Sequence, residues 1–94
     1  MMLNQHLHLQ ARGNRRDKLV IISAMLSYAA KGVCKTELMY KVGLSSAQLE
    51  RYIPVLVRSE LLEISNHSKK FVYTTTDKGR SFLDIFGNLV KLLD

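Results

Sequence analysis

The sequence predicts a single, mainly α domain: three helices, a two-stranded β-hairpin, then a last helix. Three observations predict it. Apolar residues recur at helical spacing over residues 15–30, 36–42, 46–58 and 77–94. Two short runs, Leu61–Ser65 and Phe71–Thr75, are rich in aliphatic, aromatic and β-branched residues and flank a polar stretch. The chain has 94 residues, 47% of them hydrophobic and 23% charged, which suits one packed core rather than two cores or a disordered chain.

Residues 1–14 mix Leu, His, Gln and Asn with no sustained period, and Arg12-Gly13-Asn14 has loop chemistry. This segment is expected to be a flexible arm, either trailing along a polyanion or simply solvated, with Asn14 as a candidate cap for the helix that follows. Over residues 15–30, Leu19, Ile22, Leu26 and Ala29 or Ala30 form one apolar stripe, and Gly32 is the expected stop.

The stretch Lys35–Leu49 is the most informative. Thr36 is expected to cap a short helix carrying Leu38, Met39 and Val42. Gly43 ends that helix because it accepts the left-handed conformation at low cost, and Leu44 turns inward. Ser45 and Gln48 then have the spacing of a capping box, in which hydroxyl and amide each satisfy a backbone N–H. Two helices joined only by Gly43-Leu44-Ser45 must cross at a sharp angle. The second, from about Ser46 to Arg58, buries Leu49, Ile53 and Leu56, spaced four and three apart, and is expected to kink rather than break at Pro54.

Asn66–Lys70 reads as a five-residue turn between the two strands, with Lys69 and Lys70 at its tip. Thr75 or Thr76 caps the last helix, whose first turn holds Asp77. Phe82, Phe86, Leu89 and Leu93 form a stripe that Leu83, Val90, Ile85 and Leu92 widen beyond what one small core can use. Gly87, costly inside a helix, suggests close approach of another backbone.

Charge narrows the function. Lys and Arg number 14 against 8 Asp and Glu, a formal net charge of +6, which favours a polyanionic partner. The excess lies in the first four fifths; residues 77–94 balance three basic side chains with three acidic ones. That asymmetry suggests contact with an anion on one part of the chain and with a protein surface on another. The longest aliphatic run is Leu19–Ile22, far short of the roughly 20 residues of a membrane span. No secretory signal pattern opens the chain and Cys34 is its single cysteine, so a cytoplasmic, disulfide-free protein is expected.

Helix, helix, helix, strand, strand, helix is the order of a winged helix-turn-helix, with the hairpin as wing. The runs Lys35-Thr-Glu-Leu-Met-Tyr40, Leu44-Ser45, Arg51-Tyr52, Leu61-Leu62 and Tyr73-Thr-Thr-Thr-Asp-Lys-Gly79 resemble archaeal winged-helix DNA-binding proteins, most nearly the ten-kilodalton archaeal chromatin proteins and related small archaeal transcription regulators. The resemblance spans about residues 16–86. It implies a homodimer built on the carboxy-terminal helix, which pairs as an antiparallel coiled coil in the chromatin proteins. It also implies a recognition helix at Ser46–Arg58 and a wing at Asn66–Lys70. The division expected is an arm over 1–14, a winged-helix domain over 15–76 and a dimerisation helix over 77–94.

A major groove admits one α-helix, amino-terminal residues leading. Candidate DNA contacts are therefore Ser45, Ser46 and Ala47, small enough to let the helix approach a phosphate. Gln48 can read adenine, and Arg51 guanine or a phosphate, although Gln48 competes with its own capping role. Arg58 lies farther along the same helix; His67, Lys69 and Lys70 sit in the wing, and Arg15, Arg16 and Lys35 extend the basic surface. Glu50 is expected to be a surface ion-pair partner. Tyr40 and Tyr52 either donate hydroxyls to phosphates or, the commoner arrangement, pack their rings on the core. The candidate dimer contacts are Phe82, Leu83, Phe86, Leu89, Val90 and Leu93.

Other chemistries lack residues. His6 and His8 have no third ligand nearby, no phosphate-loop pattern occurs, and no nucleophile–base grouping has recognisable context. Cys34 beside Lys35 is expected to be a half-buried filler rather than a redox sensor. No enzyme activity, metal, cofactor or small-molecule substrate is expected. The expected function is double-stranded DNA binding in transcription regulation or chromosome organisation, associated with the nucleoid. The alternative is a winged helix that docks protein, with Ala47 and Val55 as contacts.

Overall fold

The computed structural model describes residues 15–93. The arm over 1–14, with His6, His8 and Arg12, lies outside the described residues, as do Asp94 and the side chains of Arg15, Arg16 and Asp17.

Helix α1 spans Arg15–Tyr28 and is followed by a turn in which the Gly32 N–H donates to Ala29 O (3.1 Å). The helix thus ends two residues earlier than its apolar stripe suggests. The stripe faces the core except at its start. Met25, Leu26 and Ala29 are buried and Ile22 is half-buried, whereas Leu19 is exposed because it precedes the part of α1 that the core covers.

Strand β1, Val33–Cys34, was not expected. It pairs antiparallel with β3, Lys70–Thr75, which pairs in turn with β2, Leu62–His67, giving a three-stranded sheet in the order β1-β3-β2. Two residues show no alternation, so β1 is set by its partner, through Val33↔Tyr73 and Cys34↔Val72. Helix α2, Lys35–Val42, follows with no linker. Cys34 is its N-cap, in extended conformation and with no side-chain cap bond, so Thr36 lies within the helix instead of capping it.

Gly43 is left-handed (φ +79°), and its N–H and that of Leu44 both return to Met39 O, at 2.9 and 3.1 Å. Helix α3, Ser46–Arg58, then begins on the capping box: Gln48 N–H donates to Ser45 Oγ (3.1 Å) and Ser45 N–H to Gln48 Oε1 (2.9 Å). The helix runs without a break through Pro54, which sits on its exposed side, and buries Leu49, Ile53 and Leu56.

The hairpin differs from expectation at its tip. The strands run on to His67 and Lys70, which pair with one another, leaving a two-residue turn of Ser68 (φ +48°) and Lys69 (φ +72°). Two successive left-handed residues match the strand twist, as in a type I′ turn. The sequence has no Asn-Gly at these positions, so the turn reads as longer than it is.

Thr75, one of the two candidate caps, has another role. It is buried, its hydroxyl donates to Leu26 O (2.6 Å), in the last turn of α1, and its N–H to Ala29 O (3.0 Å), which also accepts from Gly32 N–H. Thr76 caps helix α4, Asp77–Leu93, accepting at its hydroxyl from Gly79 N–H (3.0 Å). Close backbone approach occurs at Gly79, where an added Cβ would lie 2.5 Å from Leu61 O. At Gly87 an added Cβ would meet nothing in this chain within 4 Å, so the close backbone approach expected there is not supplied from within the chain.

The core joins Met25, Leu26 and Ala29 of α1 to Leu38 of α2, Leu49, Ile53 and Leu56 of α3, and Val33, Leu62 and Tyr73 of the sheet. Phe82 and Leu83 of α4 pack on its edge. Beyond them Ile85, Leu89, Val90, Leu92 and Leu93 are exposed. No described helix is long and apolar enough to cross a membrane.

Candidate nucleic-acid interface

With its inner edge in the core, α3 turns Ala47, Arg51, Pro54 and Arg58 outward, spaced four, three and four apart. All four are exposed, with Val55 and Ser46 flanking them. Two ion pairs occur among the described residues, Lys35–Glu50 and Arg80–Asp77, so Arg51 and Arg58 are in neither. The outward flank of this helix is therefore uncovered and carries unpaired positive charge, and the amide groups of its first turn open at the same end. The second helix of a tight turn presented in this way can enter a groove and meet anions.

The structure assigns the predicted contacts different circumstances. Ser45 is exposed but its hydroxyl is taken by Gln48 N–H. Gln48 is half-buried and its carbonyl oxygen is taken by Ser45 N–H, so a two-point contact to adenine requires the capping box to open. Lys35 is not a free cation: its ammonium donates to Glu50 Oε2 at 2.9 Å, and that bond holds it above its ordinary pKa. Lys69 forms the hairpin turn and Lys70 the first rung, opposite His67, whose Nε2 hydrogen-bonds Ser65 Oγ at 3.1 Å. All three are exposed.

Tyrosines divide. Tyr52 packs on the core as expected, whereas Tyr40 is 86% exposed because it lies two residues, about 200° around α2, from buried Leu38. Tyr28 is also exposed, with the Lys41 ammonium 5.8 Å from its ring centroid. Phe71, read from the sequence only as a strand residue, is 58% exposed beside Lys70; it points to the core-side face of the sheet but lies beyond the core's edge. Strand alternation assigns it that face and carries no information on where the covering helices stop. Cys34 is half-buried at the β1–α2 junction. Among the described residues no three His, Cys, Asp or Glu side chains group as metal ligands.

Two helices across a three-residue turn, a three-stranded sheet ending in a projecting hairpin, and a helix beyond it define a winged helix-turn-helix. The family model of that description matches residues 15–94, and the chain belongs to the winged helix-turn-helix family. No significant sequence match is found among curated proteins. Among solved structures, the chain is similar to Sso10a-2, a DNA-binding protein from Sulfolobus solfataricus, with TM-score 0.73, 20% identity, and coverage of 79% of this chain and 78% of that one. It is similar also to NolR from Sinorhizobium fredii, with TM-score 0.62, 24% identity, and coverage of 90% and 79%. A third is the adhesin competence repressor AdcR from Streptococcus pyogenes, with TM-score 0.60, 16% identity, and coverage of 97% and 75%. At these identities the likeness is one of fold.

Proposed function

We propose that the protein binds double-stranded DNA as a homodimer, with α3 in the major groove and the hairpin along the backbone, and that it acts in transcription regulation or chromosome organisation on the cytoplasmic chromosome. The observation that carries this reading is the outward stripe of α3, exposed along its length and holding Arg51 and Arg58 outside any ion pair among the described residues. The net charge of +6 and the exposed Lys69 and Lys70 support it. So do the fold likenesses to a DNA-binding protein and to a repressor. The protein acts by binding rather than by catalysis.

Ser46, Ala47 and Arg51 approach base edges, with the α3 N–H groups on a phosphate. Arg58, Lys69, Lys70 and the Arg15–Arg16 pair contact phosphates, which set register and affinity without reading sequence. The dimer joins the apolar flanks of α4, where Leu89, Val90 and Leu93 are exposed and Phe86 is half-buried and stacks on Phe82. Within this division, residues 15–76 bind and residues 77–94 pair. Duplex titration over a salt series tests the reading. Affinity is expected to fall steeply with salt, and Arg51→Ala and a Lys69→Ala/Lys70→Ala double variant are each expected to weaken binding without unfolding the protein. Binding that ignores both variants would remove the assignment, and absence of salt-dependent binding would favour a protein-docking module. Phe86→Ser with Leu89→Ser is expected to give monomer by sedimentation equilibrium; a persistent dimer would put the contact elsewhere.

A further inference from the structure

Glu50 is the one acidic residue of α3, and Lys35 pairs with it. Glu50 lies in the second turn of α3, beside Arg51, and its carboxylate is well exposed. Lys35 reaches it from the first residue of α2, fifteen residues earlier. A carboxylate on a helix entering a groove needs an explanation, because it repels phosphates and accepts hydrogen bonds only.

We propose that Glu50 is a cytosine reader and Lys35 its release: when DNA binds, the Lys35 ammonium transfers from the carboxylate to a backbone phosphate, and the freed carboxylate accepts from a cytosine N4 amino group next to a guanine held by Arg51. The inference rests on the DNA-binding reading above. Exposed ion pairs are held weakly, so a phosphate competes well for the ammonium. Once released, Glu50 is selective by subtraction. Guanine and thymine offer the major groove only acceptor atoms opposite it, and adenine sets its N7 acceptor beside the N6 amino group. Cytosine alone presents a donor with no acceptor of its own. Arg51 follows Glu50 directly in the chain and lies about 100° around the helix from it, which suits contact with the adjacent base pair. Its guanidinium has the fork that matches guanine O6 and N7. Gln48, the amide side chain of the first turn, is held in the capping box and does not compete for these bases.

Selection of bound duplexes from a random pool tests this, run on the full chain and on Glu50→Gln, Glu50→Ala and Lys35→Ala, with titration of the enriched site over a salt series. The wild type is expected to enrich cytosine beside guanine, with a penalty of roughly fivefold or more when that cytosine is replaced. Glu50→Gln is expected to move the preference at that position to adenine, which an amide can meet at two points. Glu50→Ala is expected to lose the preference while binding random duplex more tightly. Lys35→Ala is expected to keep cytosine and to flatten the log–log salt slope by about one. The proposal is overturned if both Glu50 variants keep the wild-type preference, if Lys35→Ala leaves the slope unchanged, or if the wild type enriches no sequence while still binding duplex. That last result leaves the DNA-binding reading intact. Failure of the wild type to bind any duplex overturns both.

Discussion

Helices α3 and α4 are both amphipathic, yet they stand in opposite relations to the rest of the chain. In α3 every large apolar residue on the inner edge is covered, and what remains outside is mostly polar or basic. In α4 only Gly79 is buried, and the apolar face continues past the core for two further turns, ending in Leu92 and Leu93 at 81% and 72% exposed. The difference teaches that burial alone separates the two roles. A helix whose apolar stripe is filled by its own chain is free to spend its other face on a ligand, whereas one whose stripe is left open has its apolar face as its binding surface.

The largest expected effects come from breaking that comparison directly. Leu49→Ala removes a side chain with no exposed surface at the centre of α3's inner edge and is expected to destabilise the fold by roughly 2–5 kcal/mol at every protein concentration. Leu93→Ala is expected to cost under about 0.5 kcal/mol in dilute solution, where each chain stands alone. Its cost should grow as concentration rises and α4 finds a partner. Urea unfolding at two concentrations a hundredfold apart reads both. Equal costs in dilute solution would mean that α4 is covered within one chain and that the contrast fails.

A smaller effect tests where the two helices meet. The corner after α3 is stitched to the start of α4: Thr76 N–H donates to Leu61 O (3.1 Å), Thr76 Oγ1 to Glu60 O (2.6 Å) and Lys78 Nζ to Ser59 O (2.9 Å). Gly79 permits this contact, since a methyl group there would overlap Leu61 O and the Thr75 Cγ2. Gly79→Ala is therefore expected to cost roughly 1–3 kcal/mol by forcing the corner apart. Gly87→Ala, in open space on the same helix, is expected to stabilise by up to about 1 kcal/mol. Thermal denaturation of the pair distinguishes a packing glycine from a merely helical one.

This corner also marks the limit of what the sequence makes legible. The turn between α2 and α3 was readable in full because its devices are local: Gly43 for a left-handed residue, Ser45 and Gln48 three apart for a capping box, and Leu49, Ile53 and Leu56 for the buried edge. The surplus apolar face of α4 was readable for the same reason. What escaped depends on distant partners. Strand β1 exists only against β3, and the Thr75 hydroxyl is bonded to Leu26 O, forty-nine residues away in the chain. Gly79 and Gly87 look alike in a helical pattern, and only the position of Leu61 separates them. At the site, the outward arginines followed from the helical period. The capture of Lys35 by Glu50 joins two elements whose relative placement no periodicity encodes.

The smallest expected effect contrasts two helix ends. Helix α2 stops at Gly43, and the turn that follows α3 places Glu60 in the same left-handed conformation (φ +64°). The hydrogen bonds after α3 form a Schellman motif, with Leu61 N–H on Leu56 O (2.8 Å) and Glu60 N–H on Val57 O (2.9 Å). Its Cβ makes this conformation unfavourable for Glu60, and the strain is held by the bonds that tie the corner to Thr76. Glu60→Gly relieves the strain and keeps every one of those backbone bonds, at the expense of a more flexible unfolded chain. The net gain is expected to be roughly 0.5–1 kcal/mol. Gly43→Ala imposes the same strain where nothing crowds a new Cβ, so its expected loss of about 1 kcal/mol is conformational alone. If Glu60→Gly instead destabilises in urea titration, the side chain contributes more at the α3–α4 corner than its exposure indicates. The junction would then owe its rigidity to Glu60 as well as to the Thr76 hydrogen bonds.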